Sequence, residues 1–328
     1  MTSMRYSGET DSEDGRKGVV VDKKEQLKPP RSDRDMARMI AEAARGVRSD
    51  AVICGTESGV LFRYVHEIGD DLQLVAATPN ADTYDALSRD GFEVVRLAAR
   101  VAHKYTQARY AIAMALNAGK VSAGQLVVCA IGHDLCSGGG DLVVVTDIES
   151  GAGDLRLSEL VKLTDGIRPD TLQTTLSVAC KIGRVTRSGK PLGALFVLGD
   201  SKNVLERSRQ LILNPFEGHE EANRTVRNPD IHEMLVELAK LDGAFVLRGD
   251  GFIQTAGVFL AAPTTAVSVP RGLGARHLTA AAVTANTNAT AVVVSATDGD
   301  IRVFSRGELV LQLDPELPLL ATPEALKP

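Results

Sequence analysis

Three short stretches in the C-terminal half of the chain hold residue types suited to handling phosphate. In LDGAFVLRGDGFIQTAG (241–257) an apolar run stops at Leu241, Asp242-Gly243-Ala244 interrupts it, and Phe245-Val246-Leu247 resumes it. A carboxylate at the mouth of a buried strand is costly unless it is paired, hydrogen-bonded or metal-bound, so Asp242 is expected to hold a ligand. Gly243 beside it has no side chain and lets that ligand approach the backbone. Gly272-Leu273-Gly274-Ala275-Arg276-His277 reads as a flexible loop running into a helix start. Its free amides, guanidinium and imidazole together suit a polyphosphate. Ser295 closes the apolar run Ala291-Val292-Val293-Val294, and Asp298-Gly299 after it marks a turn. Singly, an Asp-Gly pair is most often a turn, an Arg-His pair surface, and a serine after valines a strand end. As a set in one half of the chain, they point to one phosphate-handling site.

Two other groupings have weaker claims. Cys129, His133 and Cys136 lie close in sequence, but no further ligand pair follows at zinc-site spacing. The four cysteines, Cys54, Cys129, Cys136 and Cys180, are scattered, three of them in or beside apolar runs. They read as reduced core thiols and not as a disulfide framework. Thr56, Ser58 and Gly59 follow a strand and open a helix. An anion could sit on the amides there, or the residues cap the helix; capping is the expectation.

The elements that must position these groups divide the chain in two. Residues 1–31 are polar and charged, with Pro29-Pro30, and read as a disordered tail. Ser32 is a plausible N-cap, after which Met36, Met39, Ile40, Ala43, Ala44 and Val47 recur at helical spacing. Short apolar runs at 51–54, 72–78, 92–97, 125–131 and 141–145 read as strands. They alternate with helical segments near 57–67, 80–89 and 98–118, which predicts a parallel sheet covered on both faces. ESGAGD (149–154) reads as a hinge. Beyond it come a helix over 169–187, a strand at 193–199, a helix over 230–241, a hairpin over 246–260, a helix after Gly274 and two or three more strands. The fold class expected is α/β throughout: a parallel-sheet domain over 32–150, a mixed-sheet domain over 155–313, and a tail over 314–328.

Length and composition bound the function. At 328 residues the chain is longer than one core usually organises. The net charge of −5 argues against a broad sequence-independent grip on nucleic acid. No apolar stretch is long enough to cross a bilayer, and the first residues lack the apolar core of a signal peptide. A cytoplasmic location with no membrane or nucleic-acid partner is expected.

Taken in order, the three stretches resemble the diadenylate cyclase (DAC) domain. That family's Asp-Gly-Ala motif matches 242–244, and its Gly-Thr-Arg-His-Arg motif matches 274–278 with two changes. GKPLGALFVLGD (189–200) and QLILNPFEGH (210–219) resemble the segments that precede Asp-Gly-Ala in the family. The first half resembles the C-terminal domain of pyruvate kinase, through VICGTESG (52–59), LVAATPN (74–80) and AGKVSAGQLVV (118–128). The pairing of the two is similar to the archaeal-type diadenylate cyclases. The resemblance implies an ATP-binding nucleotidyltransferase that condenses two ATP into cyclic di-AMP, a second messenger, through a homo-oligomer with facing catalytic domains. It implies Asp242, Arg276 and His277 as catalytic residues. Gly243, Ala244, Leu260, Gly274, Ala275 and Ser295 are implied around the nucleotide, with Mg²⁺ or Mn²⁺ on Asp242 and His277. Ala275 stands where the family has threonine, Leu278 where it has a second arginine, and Ala296 where some branches have an acid. Ala275 and Leu278 favour, as the alternative, a weakly active or inactive relative that binds ATP or cyclic di-AMP as a sensor.

Overall fold

The computed structural model describes residues 32–136, 140–155, 157–161, 166–261, 267, 269–270 and 272–317. The expected tail 1–31 and all but the first residues of the expected C-terminal tail lie outside them. Ser32 does cap the first helix: its Oγ accepts from the Asp35 amide. α1 (Asp33–Val47) then buries Met36, Ile40, Ala41 and Ala44 on one face. β1 (Ala51–Gly55), α2 (Val60–Ile68), β2 (Leu74–Thr78), α3 (Ala81–Arg89) and β3 (Val94–Arg96) alternate as the apolar runs predict. The next elements are β4 (Ala99–Val101), α4 (Lys104–Asn117), β5 (Leu126–Ile131) and β6 (Leu142–Asp147).

The first sheet runs β3-β2-β1-β5-β6. It is parallel except at one edge, where β6 pairs antiparallel with β5. The expected parallel sheet is thus present, with β6 added as an antiparallel edge. The connection from Gly132 to Asp141 is shorter than the crossover a parallel return needs. A correction concerns 98–118, expected as one helix. Its first residues are β4, and the helix begins only at Lys104. β4 does not join the first sheet at all; it pairs antiparallel with the last strand of the second.

The second half contributes α5 (Leu157–Leu160), α6 (Pro169–Arg187), β7 (Ala194–Leu198), α7 (Ser201–Glu206), β8 (Ser208–Gln210) and α8 (His232–Leu238). The helix expected over 230–241 is this short α8, entered through a 3-10 turn at Pro229–Ile231 and finished before Asp242. β9 (Ala244–Leu247), β10 (Ile253–Leu260), α9 (Ala275–Asn286), β11 (Thr290–Val294), β12 (Ile301–Ser305) and β13 (Glu308–Leu313) complete it. The eight strands run β4-β13-β12-β11-β7-β9-β10-β8, a mixed sheet in which β7 and β9 are parallel. β7, β9, β11 and β12 are buried at every position. Covered on both faces, such strands read as continuous apolar runs.

One buried cluster runs from Ile53 and Val127 in the first sheet to Phe196 and Val292 in the second. Phe196 and Phe245 stack at 4.6 Å within it. The opposite face of the second sheet holds a separate cluster, in which Leu195, Ala244, Val258 and Leu260 pack with Ala280 and Val283 of α9. The motif residues gather at the edge of that cluster.

Candidate active site

The β9–β10 hairpin and the first turn of α9 build the site between them. Asp242 lies in the turn before β9 and Gly274 is the N-cap of α9, with no side chain to cap the first amides. Those amides and the helix dipole favour an anion. Asp242, Gly243, Ala244, Leu260, Ala275 and Arg276 line a cleft of about 380 Å³. Arg276 Nη2 stands 4.0 Å from Asp242 Oδ1 across it, with side-chain exposures of 39% and 95%. So open a pair contributes little to stability, and both groups are available to a ligand. The premise that Asp242 is a buried charge in need of a partner is therefore corrected. The chain turns outward before β9 begins, and water solvates the carboxylate.

Gly243 is explained differently from expectation. Its φ is +109°, and a Cβ there would sit 2.5 Å from the Gly257 carbonyl carbon and from the Val258 nitrogen. Two glycine backbones cross where the β9–β10 register shifts between Thr255 and Val258. The absent side chain is thus needed first by the hairpin itself.

His277 and Ser295 lie off the cleft lining. His277 is 5% exposed on the core face of α9, its ring 6.2 Å from that of Phe304. Its Nε2 is buried without a hydrogen-bond partner among the described residues. Burial, then the neighbouring Arg302, push its pKa down to about 4, so the ring is neutral at physiological pH. Ser295, 6% exposed, accepts weakly from the Thr297 and Asp298 amides and closes the turn after β11. Behind both, Arg302 forks onto Asp298 at 2.9 and 3.3 Å. Burial works against that carboxylate, but its bonds to Arg302 and Ser295 outweigh it and hold its pKa near 2.

Leu195, Leu211, Val258, Phe259 and Thr279 also line the cleft, and sequence reasoning did not single them out. Thr279 had a signal, since it stands three residues after Arg276 and four after Ala275 on one helix face. Leu195 had none, because only strand pairing brings it there. A second cleft of about 400 Å³, between α4, β6 and the segment leading to α5, holds none of the motif residues.

Asp242 fits a Mg²⁺ or Mn²⁺ ion. Such ions are commonly held by one or two carboxylates plus substrate phosphates, and Asp242 offers an exposed carboxylate beside the helix amides. No group of three His, Cys, Asp or Glu side chains able to hold a metal by themselves occurs among the described residues. Cys129 and Cys136 instead donate to the Ala108 and Val101 carbonyls. Burial raises the pKa of the Cys129 thiol to about 12 and of Cys136 to about 11. At the other helix start, the Asp134 carboxylate accepts from the Glu57 and Ser58 amides and the Ser58 hydroxyl, while Thr56 Oγ1 accepts from the Gly59 amide. The chain's own carboxylate caps that turn.

Residues 181–309 match the family described as DAC, DisA bacterial checkpoint controller nucleotide-binding, and residues 34–146 match the pyruvate kinase alpha/beta domain. A relative named diadenylate cyclase from Methanocaldococcus jannaschii is 31% identical over 302 residues, covering 85% of this chain and 96% of the relative. The chain belongs to the diadenylate cyclase family. A second diadenylate cyclase, from Haloferax volcanii, is 36% identical over 63% of this chain and 75% of its own. A solved structure of DacA from Staphylococcus aureus, 22% identical, covers 45% of this chain and 92% of its own, with a TM-score of 0.33. As a diadenylate cyclase the chain is an enzyme of the nucleotidyltransferase class. Two of its departures from the family motif lie on α9 and the third in the turn after β11. Ala275 lines the cleft, Leu278 is half-buried, and Ala296 is half-buried beside Arg276. Among the described residues, no helix is long and apolar enough to cross a membrane.

Proposed function

We propose that this chain condenses two ATP molecules into cyclic di-AMP with release of two pyrophosphates, serving second-messenger signalling. The observation that carries the reading is the opposition of Asp242 and Arg276 across a cleft whose far wall is apolar. The apolar wall of Leu195, Val258 and Leu260 suits an adenine. The α9 amides and Arg276 suit its phosphates, and Asp242 suits a ribose hydroxyl and a divalent cation. In each half-reaction the 3′-hydroxyl of one ATP attacks the α-phosphorus of the other. The O3′–P bond forms, the bond from the α-phosphorus to the oxygen bridging to the β-phosphate breaks, pyrophosphate departs, and the hydroxyl proton is released. Such transfers depend on alignment and charge neutralisation more than on covalent help from the protein.

Asp242 orients the hydroxyl, and Arg276 draws charge from the phosphates as it develops. Asp242 would hold a Mg²⁺ or Mn²⁺ ion, which would supply further neutralisation of the phosphates. His277 and Ser295 support the loop from behind, His277 as a neutral ring. One cleft holds one ATP, so two chains must present their clefts face to face, and the working unit is a homodimer at least. The divisions at 32–150 and 155–313 belong to this reading, with β4 as a strand lent by the first to the second.

The test is incubation with ATP and Mn²⁺, with chromatography and mass spectrometry for cyclic di-AMP, on the wild type and Asp242→Asn. Because Asp242 is exposed, the variant should fold within about 0.5 kcal/mol of wild type while losing at least about 10²-fold in rate. Saturable ATP binding by the wild type with no product would favour the sensor reading, to which Ala275 and Leu278 point.

A further inference from the structure

We infer that Gly193 is a positioning residue for Arg276, the vacant wall of a niche that sets where the guanidinium stands. The inference rests on the assignment of Arg276 to the phosphates above. Gly193 is buried at the entry to β7, and its backbone is not in the left-handed region, so its conformation does not demand glycine. Space does. A Cβ on Gly193 would lie 3.1 Å from Arg276 Nη1, 3.1 Å from Ala296 Cβ and 3.1 Å from the Val294 carbonyl oxygen. Each is closer than unbonded atoms normally pack around a methyl group.

Arg276 therefore spans two surfaces. Nη1 stands 3.1 Å from the point a Gly193 Cβ would occupy, a point that Ala296 Cβ approaches equally closely, and Nη2 reaches toward Asp242 at 4.0 Å. Of the three atoms a methyl group would meet, two are held more firmly than the third. Val294 belongs to the β7–β11 pairing, where it sits opposite Ala194, and Ala296 has no rotamer to change. The guanidinium is the end of a flexible, half-exposed side chain, and its ion-pair contact among the described residues is the long one to Asp242. A methyl at 193 would displace the guanidinium most, while the Val294 carbonyl and Ala296 would each have to give by a few tenths of an ångström. Ala296 completes the same wall, so the small residue that replaces an acid in some family branches leaves the guanidinium aimed at Asp242. A carboxylate at that place would offer it a competing partner.

The test is Gly193→Ala in the full chain, read in two ways. The Arg276 Nε–Hε resonance, assigned by its loss in Arg276→Lys, should shift in Gly193→Ala without nucleotide present. In steady-state synthesis of cyclic di-AMP, kcat should fall about 10- to 100-fold, as for ångström-scale misplacement of a reacting partner, while KM for ATP changes less than about twofold. In an Arg276→Ala background the same methyl should cost less than about twofold, since the group it displaces is gone. Should Gly193→Ala fail to fold, Ala296→Val approaches the niche from the opposite wall and is expected to move the same resonance. An unmoved resonance in a folded variant, or full additivity with Arg276→Ala, overturns the inference. A wild type that makes no cyclic di-AMP but whose resonance shifts on substitution overturns the proposed function and leaves the niche standing.

Discussion

Replacing Gly243 with alanine separates two reasons for a glycine beside the Asp242 carboxylate. If the glycine exists to admit a ligand, the variant should be as stable as wild type and merely inactive. The geometry says otherwise. A methyl at 243 would meet Gly257 and Val258 backbone atoms at 2.5–2.6 Å, and φ is +109°. Neither neighbour can rotate away, because both belong to β10. Forcing a methyl group into packed structure costs about 1–3 kcal/mol, and a side chain at that φ costs about 1–3 kcal/mol more. The sum, about 2–6 kcal/mol, is a large part of the 5–15 kcal/mol that ordinarily holds a domain folded. At roughly 2–4 °C per kcal/mol for a domain of this size, the melting temperature should fall by at least about 4 °C. Differential scanning fluorimetry of Gly243→Ala beside Asp242→Asn measures this directly, the second variant losing its reaction without losing stability. A Gly243→Ala protein that melts within 1 °C of wild type would refute the argument and return the glycine to the ligand.

Two further outcomes follow from the same geometry. Leu278→Arg should lower the apparent ATP requirement a few-fold, measured in the product assay, by restoring a cation next to the α9 terminus; loss of both folding and activity would identify Leu278 as a packing residue. His277, with its pKa depressed to about 4 from 6.5, keeps its full contribution to stability above about pH 6.5 and loses it as pH falls toward 4, because the unfolded chain takes up the proton first. The His277→Gln variant should therefore show a shallower decline in melting temperature between pH 7 and 5 than wild type, and equal slopes would show that the ring titrates normally.

Much of this was legible in the chain because the signals were local. Ser32, the apolar strands and the α9 start announce themselves within a few residues. The order of Asp-Gly-Ala, Gly-Ala-Arg-His and Ser295 was enough to place Asp242 and Arg276 on one cleft. What escaped depended on distance along the chain. β4 is three residues long, and its partner lies more than two hundred positions away, so Ala99-Arg100-Val101 looked like the start of a helix. Asp242 seemed costly because the neighbouring apolar runs suggest burial, whereas burial depends on which way the turn faces. The true crowding at Gly243 comes from Gly257, and the emptiness at Gly193 from Arg276; neither pairing has a periodicity to betray it. Asp134 is likewise separated from the Ser58 amide it caps by a whole run of strands and helices.

The placement of β4 has a consequence for any attempt to study the two halves apart. It covers the outer side of β13, and Arg100 within it is clasped by Glu57 through bonds of 2.5 and 3.0 Å, while Arg96 reaches Asp314. A cut near residue 150 would peel that cover away. The remaining half would bear a raw seam of unpaired amides and carbonyls along β13, the surface on which sheets of separate molecules join. Association by such a fragment would report the torn edge, and its dimers would be no test of the proposed face-to-face arrangement.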